Sequence, residues 1–278
     1  MKTTETEATP LVDIQASKDE RNFANDKVGV RNVKYPIVVL DRAREQQHTI
    51  GTFQLTVDLP HHFKGTHMSR FLEVLSDHKH EVSVHGIPKI LEGLREKLHA
   101  ERAHLEVRFP FFMSKKAPVT GKEGMMEYTC GFDASLGIPF DFDGNGPKPP
   151  CKSDFEIIVQ APVTTLCPCS KEISARGAHN QRGIVSVRVR TSAMVWLEEI
   201  IELIESCASC ALFPVLKRPD EKWVTEHAYD NPRFVEDMVR EVALAFDNDS
   251  RITTYEIEVE NEESIHAHNA YAHLKREK

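Results

Sequence analysis

Residues 183–207, Gly183-Ile184-Val185-Ser186-Val187-Arg188-Val189-Arg190 followed by TSAMVWLEEIIELIESC, change period midway. Val185, Val187 and Val189 alternate with Ser186, Arg188 and Arg190, the pattern of a half-buried strand. Trp196, Ile200, Leu203, Ile204 and Cys207 then recur at helical spacing. Downstream, Asn231-Pro232 offers a cap and a first turn for a second helix through Phe234, Val235, Met238, Val239 and Val242. Tyr255, Ile257 and Val259 close the unit as a strand whose other face is Glu256, Glu258 and Glu260. The first half runs in the same order. Phe53, Leu55, Val57 and Leu59 alternate, as do Leu105, Val107 and Phe109. Between them lie two helical patterns, one through Phe71, Leu72 and Leu75 and one through Ile87, Ile90, Leu91, Leu94 and Leu98.

The order of strands, two helices and strands, met twice, predicts an α+β protein: two similar modules of antiparallel sheet, each with two helices on one face. The boundaries expected are a mobile, polar tail over 1–25, a first module over 26–140, a linker over 141–150 (DFDGNGPKPP) and a second module over 151–278. Open sheets leave edges, which closure into an oligomeric ring would cover.

The chain has 278 residues, 40% hydrophobic and 28% charged, ordinary proportions for a globular protein with a sizeable core. No apolar run reaches the length of a membrane span, and no apolar segment follows a basic start, so a soluble cytoplasmic protein with no membrane partner is expected. A net charge of −8 argues against nucleic acid as a partner, though not against a local basic pocket for a small anion. Six cysteines without an export signal read as thiols or metal ligands.

The densest chemistry lies in Thr164-Thr165-Leu166-Cys167-Pro168-Cys169-Ser170-Lys171 and Gly177-Ala178-His179-Asn180-Gln181-Arg182-Gly183. Cys167 and Cys169 flank a proline in what reads as a turn, and His179 follows at a distance that lets it fold back. Thiolate plus imidazole suits a divalent transition metal, although C-x-C also fits a structural pair. Cys207 and Cys210 make a C-x-x-C, but three apart on one helix they read as core. His266 and His268 share a face if extended and diverge if helical. His78, His80 and His85 read as a solvated loop. Glu221, Glu226 and Glu236 read by spacing as a solvated face. No phosphate-cradling G-x-x-x-x-G-K-[ST], H-E-x-x-H or G-x-S-x-G is present.

These strings, with Gly65-Thr66-His67-Met68-Ser69-Arg70-Phe71, the Lys217–Glu226 segment, Phe234-Val235-Glu236-Asp237 and Ser264-Ile265-His266-Ala267-His268-Asn269, together resemble the prokaryotic type IB GTP cyclohydrolases over about residues 30–273. The resemblance implies tandem tunnelling-fold modules assembled as a homotetramer. It also implies conversion of GTP and water to 7,8-dihydroneopterin triphosphate and formate, the first step toward tetrahydrofolate. It places one divalent metal (zinc, manganese or iron) on Cys167, His179, Glu221 and His266. Cys169 becomes a second catalytic thiol, and Glu236 the purine-anchoring carboxylate. A metal-activated water would attack guanine C8, with His179 moving protons. Arg182, Lys171, Lys64 and Arg70 are candidates for the triphosphate. The alternatives are an archaeal-type relative that releases a cyclic phosphate, a deazapurine nitrile reductase on the same fold, and a zinc-stabilised module without activity.

Overall fold

Strands β1 (Asn25–Asp41) and β2 (Glu45–Leu59) open the chain as a hairpin and helices α1 (Met68–Asp77) and α2 (Gly86–Leu98) follow. Strands β3 (Arg102–Lys116) and β4 (Glu123–Gly137) complete the first half. The second half repeats the order, with additions. It runs β5 (Lys152–Leu166), α3 (Pro168–Ile173), β6 (Asn180–Thr191), α4 (Leu197–Cys207), β7 (Cys210–Ala211), α5 (Arg218–Asp230), α6 (Val235–Asn248), β8 (Ile252–Glu262) and β9 (Ala270–Glu277). The structure is a computed structural model and describes residues 13–15, 17–78, 86–138 and 149–278. His80, His85 and most of the expected 141–150 linker lie outside the described residues.

Alternation decides which face is buried. Phe53, Leu55, Val57, Leu105, Val107 and Phe109 in the first half, and Val185, Val187, Val189, Tyr255, Ile257 and Val259 in the second, are all buried. Helices α1 and α2 cover the first four strands, while α4 and α6 cover β5, β8 and β9. Phe71, Leu94, Ile204 and Phe246 plug the gap, each at most 1% exposed. Each fully buried side chain of this size stabilises by about 1.5–3 kcal/mol.

The two halves do not keep separate sheets. Strands β4 and β5 pair antiparallel from Thr129↔Gln160 to Gly137↔Lys152, so one sheet runs β1-β2-β3-β4-β5-β6-β8-β9, with β7 attached to β5. Its outer strands are β1 and β9.

Three local expectations change. The second helix of the C-terminal half starts at Val235, not at Asn231-Pro232. Asn231 instead ends α5, its Nδ2 donating to His227 O at 2.8 Å, and Asp237 accepts the Phe234 N–H at 3.1 Å to cap α6. The second half therefore carries α3 and α5 beyond the expected pair of helices. Cys210 lies on β7 and not on the helix of Cys207; both are buried, as a core reading requires. Within 1–25, residues 15 and 17–19 are paired with 62–65: Gly65 N–H donates to Gln15 O and Lys64 N–H to Ser17 O, both at 3.1 Å. Among the described residues no helix is long and apolar enough to cross a membrane.

Candidate metal and purine site

Strand β5 ends at Leu166 and delivers Cys167 to the N-cap of the six-residue α3, with Pro168 at the first helical position, where its missing N–H costs nothing. The expected turn is thus a short helix. Cys167 Sγ accepts the Ser170 N–H at 3.4 Å. The cysteine's own N–H donates to His179 O at 3.0 Å, and His179 N–H donates to Ser170 Oγ at 3.2 Å. One backbone bond and one backbone-to-hydroxyl bond therefore clamp the thiol loop to the histidine loop. The imidazole Nδ1 lies 3.2 Å from Gln181 Oε1, 3.3 Å from Ser264 Oγ and 4.0 Å from Glu263 Oε2. Ser264 and Glu263 come from the loop after β8, brought alongside because Arg182 on β6 pairs with Glu262.

Glu236 occupies the first turn of α6 and is exposed. Its helix is tied to the thiol loop by Arg233, whose N–H donates to Leu166 O at 3.0 Å. Lys171 of α3 donates to Tyr229 O and lies 4.4 Å from the Tyr229 ring centre, which docks the end of α5 on α3. Glu221 sits in the first turn of α5, exposed. His266 is exposed and stacked on His268 at 5.1 Å, three residues beyond Glu263. Cys169 is exposed. Of the four cation candidates, Arg182 lies exposed on β6 beside His179's strand entry, whereas Lys64 and Arg70 belong to the first half, Arg70 donating to Lys97 O.

The structure therefore brings Cys167 and His179 together and places the Glu236 helix and the His266 loop against them. It does not close a full ligand sphere. Among the described residues, no three of Cys167, His179, Glu221 and His266 have ligand atoms all within 4.8 Å of one another. The trio that does is Glu256, Glu258 and His273 on the outer sheet face, where His273 and Lys275 both pair with Glu256. A cavity of about 570 Å³ with apolar walls, among them Leu40, Ile87, Leu91 and Met194, holds none of the candidate residues.

A divalent metal fits the donors present. Glu263 Oε2 is buried without a hydrogen-bond partner beside the imidazole, and an unpaired buried carboxylate oxygen is costly unless a cation or donor meets it. Thiolate, imidazole and carboxylate together suit zinc, manganese or iron. Glu263 is a further candidate that residue type does not single out; its one signal is the spacing Glu263-x-x-His266 at a strand end. The remaining thiols differ in kind. Burial pushes Cys130 and Cys207 up and Cys210 up to about 11.

Residues 11–272 match the family model described as type I GTP cyclohydrolase folE2. The chain belongs to that family. It is 49% identical over 269 residues to GTP cyclohydrolase FolE2 of Nitrosococcus oceani, covering 97% of this chain and 96% of the relative. It is 52% identical over 264 residues to the FolE2 protein of Fervidobacterium nodosum, covering 95% and 97%. Among solved structures, a urate oxidase mutant from Bacillus sp. TB-90 superposes with a TM-score of 0.53 at 8% identity, over 91% of this chain and 99% of that one. Urate oxidase from Bacillus subtilis 168 gives 0.52 at 7% identity, over 91% and 98%. At such low identity these two establish the tunnelling fold of this FolE2 family member and nothing about its chemistry.

Proposed function

We propose that this chain is a type IB GTP cyclohydrolase, converting GTP and water to 7,8-dihydroneopterin triphosphate and formate at the head of tetrahydrofolate synthesis. The observation that carries it is the clamped Cys167–His179 pair facing an orphaned carboxylate, in a chain that matches the FolE2 family over residues 11–272. Glu236, exposed at the start of α6, accepts parallel hydrogen bonds from guanine N1–H and the 2-amino group, a charge-assisted and geometrically selective contact. Cys167, His179 and Glu263, joined by Glu221 and His266, hold a divalent ion. When bound, that ion supplies Lewis acidity able to bring the pKa of water to about 7. His179, oriented at Nδ1 by Gln181 and Ser264, moves protons as the guanine ring opens and formate leaves. Cys169, exposed at the second position of α3, is the second thiol on the substrate side. The outer strands β1 and β9 support a homotetramer closed edge to edge.

The test is to incubate the full chain with GTP and Mn²⁺ or Zn²⁺ and to follow pterin fluorescence and formate. A cyclic phosphate product would move the enzyme to the archaeal-type reaction, and no metal-dependent product at all would refute the proposal.

A further inference from the structure

The N-terminus of α5 is held by the first half of the chain. The β3–β4 hairpin turns through 117–122, where Ala117 N–H donates to Lys122 O at 2.9 Å and Gly121 takes a φ of +65°, a left-handed conformation that glycine adopts without strain. The tip lands on Asp220, whose relative exposure is 0%. Oδ1 accepts Val119 N–H at 2.9 Å and Thr120 N–H at 2.8 Å. Oδ2 accepts the Thr120 hydroxyl at 2.7 Å and Lys217 N–H at 2.9 Å. Farther down the hairpin, Lys115 pairs with Glu205 at 2.6 Å, Tyr128 OH donates to the same oxygen at 2.6 Å, and the Lys115 ammonium lies 4.8 Å from the Phe213 ring centre. A Cβ added at Gly124 would come within 2.8 Å of Pro214 Cγ, so hairpin and the 213–220 segment are packed without slack.

Capping a helix needs one exposed acceptor. Burying a carboxylate and giving it four donors, three of them from a hairpin about 100 residues away in sequence, does more than start a helix. Burial acts to raise the Asp220 carboxyl, but the Thr120, Lys217 and Val119 donors hold it below the usual carboxylate range. The next residue along α5 is Glu221, and its backbone N–H is engaged with Lys217 O at 2.9 Å, in the same cap. The first turn of α5, which carries Glu221, is thus anchored to the β3–β4 hairpin.

We infer that Asp220 is a positioning residue, through which the β3–β4 hairpin of the first module places Glu221 for metal binding in the second. The inference rests on the proposed role of Glu221 as a ligand. Outer contacts that orient a ligand typically change metal affinity by about 10–100-fold.

The test is a Mn²⁺ titration of the full-length protein, read by the EPR signal of free Mn²⁺, on wild type, Asp220→Asn, Thr120→Val, Glu221→Gln and the Asp220→Asn/Glu221→Gln double variant. Melting temperatures are recorded alongside. Expected are an affinity about tenfold weaker for Asp220→Asn, a smaller loss in the same direction for Thr120→Val, and a double variant no weaker than Glu221→Gln alone, because both act on one ligand. A merely structural Asp220 would lower the melting temperature and leave affinity unchanged, or add its loss to that of Glu221→Gln; either outcome overturns the inference while the ligand role of Glu221 stands. Wild-type affinity in Glu221→Gln overturns both. Should Asp220→Asn fail to fold, Thr120→Val decides by the same comparison, since it removes one hydroxyl bond and leaves three.

Discussion

Glu263 Oε2 and His179 Nδ1 face each other across 4.0 Å, and among the described residues no hydrogen-bond donor reaches that carboxylate oxygen. The pair links the loop after β8 to the loop before β6 at the point where the thiol of Cys167 is also fixed. Replacing Glu263 with Gln keeps the shape and removes the charge. Mn²⁺ affinity is expected to fall about 10- to 100-fold. The metal-free protein should melt no lower, and about 2–4 °C higher if roughly 1 kcal/mol of desolvation cost is relieved. Metal titration and calorimetry check the two signs; unchanged affinity would remove Glu263 from the site.

Glu236 is exposed, in the first turn of α6. Glu236→Gln retains one acceptor for the guanine edge but turns the other into a donor facing a donor. A loss of about 3 kcal/mol in recognition, about a hundredfold in kcat/KM for GTP, is expected with the melting temperature unchanged. Steady-state assays with GTP would refute the purine-anchor role if kcat/KM stayed within about threefold of wild type.

The six thiols should divide by position. Cys151 and Cys169 are exposed and Cys167 half-buried, whereas Cys130, Cys207 and Cys210 are buried with burial raising each thiol. Because the thiolate is the reactive species, brief alkylation near neutral pH should label Cys151 and Cys169 first, then Cys167, and spare the other three. Bound Zn²⁺ should protect Cys167 and leave Cys151 untouched. Peptide mass mapping reads the pattern, and labelling of Cys167 equal with and without Zn²⁺ would contradict a ligand role.

Acid should reach the sheet's open face through Asp133. Burial acts to raise its carboxyl, yet His104 Nε2 at 2.7 Å and Arg188 at 3.1 Å bring it below its ordinary 3.8. A carboxyl lowered in the folded state contributes stability above its unfolded value that is lost as pH falls through the folded one. Urea unfolding should therefore show stability falling below about pH 4. Asp133→Asn should cost about 1–3 kcal/mol at pH 7 and flatten the acid limb. Parallel pH curves for the two proteins would exclude Asp133 as a source of that limb.

Much of the fold was legible because one sheet face is wet: Val185, Val187, Val189 and Tyr255, Ile257, Val259 cannot alternate so cleanly in any other structure. Helix α5 was illegible because its buried residues are only Asp220 and Ala228, which leaves no apolar stripe to see. Asn231-Pro232 misled because a cap residue followed by proline reads alike at the end of one helix and the start of the next. The joining of β4 to β5 is a pairing across the intervening segment, which no local period encodes. At the site, Cys167 and His179 stood out by residue type. Glu263 did not, since it follows Glu256, Glu258, Glu260 and Glu262, and only burial of its oxygen distinguishes it.

The seam between β4 and β5 also shapes how this architecture can come apart. Two repeats fused along their borders expose fewer raw margins than two separate ones would, and among the described residues the long strands at those margins are the first and the last. A nick between Gly137 and Lys152 would sever the polypeptide without freeing either part, because nine rungs from Thr129 to Gly137 would still stitch the fragments together.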